Sequence, residues 1–290
     1  MFRKMYDNKF SSVIQALSLA LLFIFAFCIL NLEVGEAAII RIDQPKLRLV
    51  IPGGGTESGI INLTNPTPNP LTIKVYLEDW LYTSNIDGSK KFYPPGTLPL
   101  SCAKWITFIP AEFTVSPYGK QVVNYTVKCP ADAKGGHYAV MFFETSLGEV
   151  EDEEGVNVTV LGRLGSLFCV EPGETINRKA ELSNLSIVRN KGIDIELQFK
   201  NTGNIDIITE GTFYLMDRKG IIAARGEFNK IYTFPGDKAV ISSGISEQAA
   251  SEIPEGEYDL VITIDLGGIP EVLEARLEVK PSGKISYSYP

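Results

Sequence analysis

The chain has 290 residues, 44% of them hydrophobic, and a formal net charge of −8 at pH 7; at roughly 100–200 residues per domain this length suits two modest domains. An acidic balance of this size disfavours nucleic acid and anionic lipid as partners. One histidine and four cysteines without ligand spacing give no pattern for zinc.

The first residues read as an address. Arg3, Lys4 and Lys9 form a basic start, residues 13–32 are almost wholly apolar, and Gly35-Glu36-Ala37 offers small residues before Ala38, so residues 1–37 read as a signal peptide. The apolar stretch also has about the 20 residues needed to cross a bilayer, so cleavage and retention as an anchor both stand. A lipid-modified Cys28 is disfavoured by Phe27 before it. Removing residues 1–37 takes away Arg3, Lys4 and Lys9 against Asp7, Glu33 and Glu36, so the mature chain keeps its net charge of −8. The expected location is periplasmic or extracellular, with no membrane contact in the mature form unless the signal is retained.

From Ala38 onward apolar residues recur at every second position, the signature of half-buried strands. Leu71, Ile73, Val75 and Leu77 alternate with polar residues, as do Val123, Tyr125 and Val127, and then Val156, Val158 and Val160. Ile193, Ile195, Leu197 and Phe199 follow, then Tyr258, Leu260, Ile262 and Ile264, then Leu273, Ala275, Leu277 and Val279. Turn signals such as Asn65-Pro66, Pro117-Tyr-Gly, Asn201-Thr-Gly-Asn204 and Gly267-Gly268 separate these runs. The fold class expected is all-β, two tandem immunoglobulin-like β-sandwiches after the signal.

An internal repeat sets the domain count. A strand ending at Asn65 matches one ending at Asn201, Pro117-Tyr-Gly-Lys matches Pro235-Gly-Asp-Lys, and Tyr138 matches Tyr258. The first domain is expected over 38–173 and the second over 178–280, with 281–290 as a loose tail. Residues 81–101 read as an inserted loop in the first copy. Tyr138 and Tyr258 stand where a sandwich places a corner tyrosine bonded back to the backbone, or where an ordinary rim tyrosine packs.

Chemistry is sparse. His137 has no triad pattern around it, and Gly53-Gly54-Gly55 precedes a strand, so these glycines make a turn rather than a phosphate loop. Asp206, Asp217 and Asp265 form no calcium loop; turn aspartates usually satisfy local donors. Asn62, Asn124, Asn157 and Asn184 begin N-x-Ser/Thr triplets, which strand composition explains. Of the three cysteines after the signal, Cys102 and Cys129 are candidates for a disulfide worth on the order of 3 kcal/mol, leaving Cys169 as a small apolar group. No catalytic residue, metal or cofactor is implied, and an enzyme is not expected.

Arg48-Leu-Val-Ile-Pro-Gly-Gly, Ile61-Asn-Leu-Thr-Asn65, Pro117-Tyr-Gly-Lys and the Phe142-Phe143 strand together resemble the first domain of periplasmic pilus-assembly chaperones of the PapD type. The resemblance covers about 135 residues; the second domain looks only like a generic immunoglobulin-like module. It implies that the last strand of the first domain, about residues 156–170, is lent to a pilin-like exported subunit by strand addition. Val156, Val158 and Val160 are then the inserted row, the alternative being that they pack into the domain's own core. The resemblance also implies a pair of basic residues anchoring a subunit carboxylate. Arg48 falls at the arginine, whereas Ser166 stands where the lysine belongs and the nearest basic residue is Arg163, an odd number of positions away and so on the other face of a regular strand. Against this chaperone-like reading stands a structural or adhesive cell-surface protein in which the sandwiches are spacers or binding modules of a surface assembly.

Overall fold

A computed structural model describes residues 40–151, 155–280 and 284–288, and side-chain burial is known for all of these but Val150. The expected signal peptide, residues 1–37, lies outside the described residues, and among those described no helix is long and apolar enough to cross a membrane. Strands dominate in chain order: β1 (Arg41–Ile42), β2 (Lys46–Val50), β3 (Thr56–Thr64), β4 (Leu71–Tyr82), β5 (Lys90–Tyr93), β6 (Ile106–Ile109), β7 (Glu112–Val115), β8 (Lys120–Lys128), β9 (His137–Glu151) and β10 (Asn157–Glu171). There follow β11 (Ala180–Arg189), β12 (Ile193–Asn201), β13 (Ile207–Ile208), β14 (Glu210–Asp217), β15 (Ile222–Phe228), β16 (Tyr232–Thr233), β17 (Lys238–Ile245), a short helix α1 (Glu247–Ser251), β18 (Gly256–Asp265), β19 (Pro270–Val279) and β20 (Ile285–Ser288).

Two tandem immunoglobulin-like sandwiches result. The first faces β1-β3-β8-β6 against β2-β10-β9-β4-β5, with β7 added to β4. The second faces β11-β12-β17 against β15-β14-β18-β19-β20, with a small β13-β16 pair beside them. The alternating residues do what their period demands: Ile73, Val75, Val123, Tyr125 and Val127 are buried between the first pair of sheets, and Tyr125 meets Phe168 edge-on at 5.1 Å. Ile193, Ile195, Leu197 and Phe199 bury against Tyr258, Leu260, Ile262 and Ile264 in the second core.

The internal repeat is structural. Asn65 and Asn201 are both fully buried, and each closes the same turn with both ends of its amide. Asn65 Oδ1 accepts from the Thr67 amide (2.9 Å) while Nδ2 donates to the Asn69 carbonyl (2.7 Å). In the second copy Asn201 Oδ1 accepts from the Gly203 amide (3.0 Å) and Nδ2 donates to the Ile205 carbonyl (2.9 Å). The two backbone amides donate to the Gly119 and Asp237 carbonyls, the matching positions of the second motif of the repeat.

Three expectations need correction. Residues 281–290 are not all loose, because Ile285–Ser288 pairs with β19, Ile285 packs on the second core and the Tyr287 hydroxyl donates to the Leu185 carbonyl at 2.6 Å. Residues 81–101 are more than a loop: β5 folds back on β4, and the turn between them reaches the second sandwich, where the Tyr232 amide donates to the Ile86 carbonyl at 2.9 Å. The expected Cys102–Cys129 disulfide is not formed, and Cys102, Cys129 and Cys169 are free and buried. The backbone amide of Cys102 donates to the Tyr138 carbonyl on β9, whereas that of Cys129 donates to the Gly55 carbonyl just before β3. Burial pushes all three thiols up, Cys169 to about 12, with Asp206 adding to the effect there. At neutral pH each is a protonated apolar filler.

Of the two corner candidates, Tyr258 behaves as one, its hydroxyl donating to the Pro254 carbonyl at 2.8 Å. Tyr138 instead reaches into the second sandwich, accepting from the Asp206 amide at 2.6 Å. His137 stacks on Trp105 at 4.3 Å, and its buried Nδ1 has no hydrogen-bond partner. Burial lowers its pKa, with backbone hydrogen bonding to Lys134 and Ser101 acting against the shift. Since the folded pKa lies below the unfolded one, the unfolded chain binds the proton first, so this contribution is complete above about pH 6.5 and lost as pH falls through the folded value. Thermal unfolding followed from about pH 7.5 to about pH 5 is expected to lose a few degrees at the acidic end. His137→Phe, which keeps the stacking and removes the charge, is expected to abolish that component.

Candidate functional site: an open strand edge beside an inter-domain cleft

The site is built on β10. Along its first edge it pairs with β9 from Asn157↔Glu151 to Val170↔His137. Along its second edge β2 covers only the end, Lys46–Val50 running parallel to Leu167–Glu171. Residues 157–166 therefore present a second edge that no strand among the described residues occupies. On the far side of β9, pairing with β4 stops at Lys74↔Glu144. The β9–β10 ribbon thus runs on alone for some six residues, about 20 Å at strand rise.

Alternation along β10 assigns its faces. Val170, Phe168 and Ser166 point into the first sandwich and are buried. The same row continues outward as Leu164, Gly162, Val160, Val158 and Val156, but the sandwich ends before the row does. Val156, Val158 and Val160 are 54%, 46% and 37% exposed, so the alternative that they pack into the domain's own core is overturned. From Asn157 to Gly162 the strand carries neither charge nor proline. Two edge strands of the second sandwich are guarded in the usual way, by Glu181 and Arg189 on β11 and by Arg225 and Glu227 on β15. An uncharged, exposed apolar row on an unpaired edge is a hazard unless something is meant to pair with it.

The opposite face of β10 looks into the cleft between the sandwiches. Arg48 lies opposite Cys169, which lies opposite Tyr138, and the alternation places Leu167, Gly165 and Arg163 on the same side. Arg163 does face away from Ser166, and that is the cleft side it shares with Arg48. Ser166 points inward and donates to the Gln44 carbonyl at 2.6 Å, so the position aligned with the lysine faces the core. Arg163 lies 4.2 Å from the centre of the Phe142 ring and 3.2 Å from Glu78 Oε1.

Arg48 is engaged within the chain. Its Nη1 pairs with Glu171 and its Nη2 with the fully buried Asp206 carboxylate at 3.0 Å, while Arg178 holds Glu171 at 2.9 Å. Burial by itself would lower the pKa of Arg48, but the Asp206 charge and the bond to Glu171 outweigh it and raise the value. Asp206 thus serves as an inter-domain acceptor, while Asp217 and Asp265 accept from backbone amides of their own turns. Among the described residues no group of His, Cys, Asp and Glu side chains could hold a metal ion.

Two lysines that sequence reasoning passed over line the same cleft. Lys46 sits two residues before Arg48 on the same face of β2 and makes no ion pair among the described residues. Lys90, on β5, lies 5.9 Å from the centre of Trp80 and 5.7 Å from that of Tyr82. Burial lowers its pKa, and repulsion by Lys46 adds to the shift. The period-two spacing Lys46-Leu-Arg48 was the available signal; Lys90 sits 44 residues further along the chain, and nothing in the sequence joins the two.

Beneath these cations, Phe234 of the second sandwich is wedged between Tyr138 (4.6 Å), Tyr82 (5.0 Å) and Trp80 (5.4 Å) of the first. Fold and site define a class: a pair of immunoglobulin-like sandwiches with an apolar strand edge, left open among the described residues, next to a basic cleft. No protein-family profile matches the chain, and no curated protein sequence does. Among solved structures it is similar to the class 5 fimbriae chaperone CfaA, with 14% identity, 87% of this chain and 99% of that chain covered and a TM-score of 0.45. It is similar at 13% identity to a chain of a chaperone–tip adhesin complex of CFA/I fimbriae biogenesis, over 82% of this chain and 98% of that one, with a TM-score of 0.45. A chain of the Salmonella enterica SafA pilin–SafB chaperone complex is 11% identical over 82% of this chain and 97% of its own, with a TM-score of 0.38.

Proposed function

We propose that the protein is a periplasmic chaperone that holds an exported, pilin-like subunit by adding β10 to it. The observation that carries this reading is the apolar pair Val158 and Val160, exposed on a strand edge that no strand among the described residues occupies. An immunoglobulin-like subunit lacking its last strand needs what this edge offers: free backbone donors and acceptors, and apolar side chains at every second position. The row is an extension of the first domain's own core row, so it is already spaced for the interior of a sandwich.

The subunit's terminal carboxylate is received in the cleft. Arg48 carries two carboxylates of its own chain, so in this reading it shares the role with Lys46, whose ammonium has no carboxylate partner among the described residues. Charge-assisted hydrogen bonds to such cations are the stronger kind. Arg163, stacked on Phe142 and paired with Glu78, stiffens the base of the ribbon and contributes positive charge to the same face.

The test is to express the full chain in its native host, purify it from the periplasmic extract, and identify what remains bound in stoichiometric amount. The expected result is one small β-rich subunit, with the β10 backbone amides over residues 157–166 gaining protection from hydrogen exchange in the complex. Recovery of the chain in the surface fraction with no stoichiometric partner would overturn the reading and favour a structural surface protein.

A further inference from the structure

The apolar row has a gap in its own strand. Counting outward from the core, β10 supplies Leu164, then Gly162, then Val160 and Val158, and Val156 just before the strand continues the row, so one position in five has no side chain. Gly162 itself pairs with Thr145, and one step along the ladder β9 carries an irregularity: Val160 pairs with Gly148 and Leu161 with Ser146, leaving Leu147 as the extra residue of a β-bulge. Gly148 has φ +115, a conformation that suits glycine and seldom a residue with a side chain.

The bulge has a definite effect on Leu147. A Cβ added at Gly162 would stand 2.9 Å from Leu147 Cδ2 and 3.2 Å from its Cγ and Cδ1. The Leu147 side chain therefore occupies the space a side chain of residue 162 would fill. It is 42% exposed there, between Val160 at 37% and Leu164 at 36%. The slot is not part of the sandwich core, and Ser146, Gly148 and Glu149 around the bulge are exposed.

We propose that Leu147 is a specificity-determining contact for the captured subunit, filling the slot vacated by Gly162 so that the row has five apolar side chains contributed by two strands. This rests on the strand-addition reading. The consequence is that the subunit's groove must accept a branched side chain arriving from the neighbouring strand at this position, offset from the line of β10. A groove fitted to five side chains in one straight line would meet a bump.

The probe for the test is the apolar dye anilinonaphthalene sulfonate, titrated onto the full chain while thermal unfolding is followed in parallel. Val158→Lys is expected to remove most of the dye binding; if it does not, the row is no apolar docking surface and the strand-addition reading falls with the present proposal. Given that loss, Leu147→Ala is expected to weaken dye binding by about three- to tenfold with an unchanged melting temperature. The double variant Leu147→Ala, Gly162→Val is expected to recover it, because the side chain then comes from β10 into the space Leu147 has left. Unchanged binding in Leu147→Ala, or a loss that Gly162→Val fails to restore, overturns the role of Leu147 while the reading of β10 stands.

Discussion

Val158→Lys is expected to reduce capture of the subunit at least 100-fold while leaving the protein folded. Val158 lies in the middle of the open row and is almost half exposed in the free protein, so its replacement removes little native packing. Surface substitutions of this kind usually change stability by no more than about 0.5 kcal/mol. In a complex formed by strand addition the same side chain lies inside the partner's core. Losing the burial of a valine there forfeits about 1.5–3 kcal/mol, and a lysine ammonium carried into the same place costs several kcal/mol more unless it finds a partner. At about 1.4 kcal/mol per tenfold, these terms exceed the expected loss. The measurement is the yield of stoichiometric complex from variant and parent at equal expression, with thermal unfolding alongside. Full yield from a folded Val158→Lys variant would remove β10 from the interface.

The second large effect concerns stability. Arg48→Ala leaves the Asp206 carboxylate fully buried, with the Tyr138 hydroxyl as its one remaining hydrogen-bond donor among the described residues. Breaking a buried pair from one side costs about 3–5 kcal/mol, because the remaining charge is uncompensated. Glu171 suffers less, since Arg178 still reaches it at 2.9 Å. The double variant Arg48→Met, Asp206→Asn removes both charges, keeps an acceptor for Tyr138, and is expected to recover at least half of the loss. Denaturant unfolding of the parent, the two single variants and the double one measures this coupling. A loss below about 1 kcal/mol in Arg48→Ala would mean that the cleft does not depend on this pair. The cycle also separates two roles of Arg48: if Arg48→Met, Asp206→Asn is stable and still captures the subunit at parental yield, Arg48 holds the domains together and Lys46 receives the carboxylate.

Much of the architecture was legible in the residues because it depends on local period. Alternation at every second position picked out Ile193, Ile195, Leu197 and Phe199 and the strands that cover them, since a pleated strand has only two faces. The repeat was legible for a related reason: Asn65 and Asn201 each close a turn within four residues of themselves, and a local constraint leaves a local signature.

What the residues could not announce is where a buried face stops being covered. Val156, Val158 and Val160 follow the same alternation as Val123, Tyr125 and Val127, yet one set is exposed and the other buried. The difference lies in the neighbours, because β4 stops pairing with β9 at Glu144 while the β9–β10 ribbon continues. The partners of Arg48 were out of reach in the same way: Asp206 is 158 residues away, and only the docking of the two sandwiches brings them within 3.0 Å. Leu147 and Gly162 show the limit most sharply, for a single extra residue in β9 decides that one fills the other's place. The sequence by itself therefore determined which strands form and which of their faces are apolar, because those are properties of single strands. Only the tertiary structure decided which apolar face is left open and which charges meet in the cleft, because those depend on how far neighbouring strands extend and on contacts between distant parts of the chain.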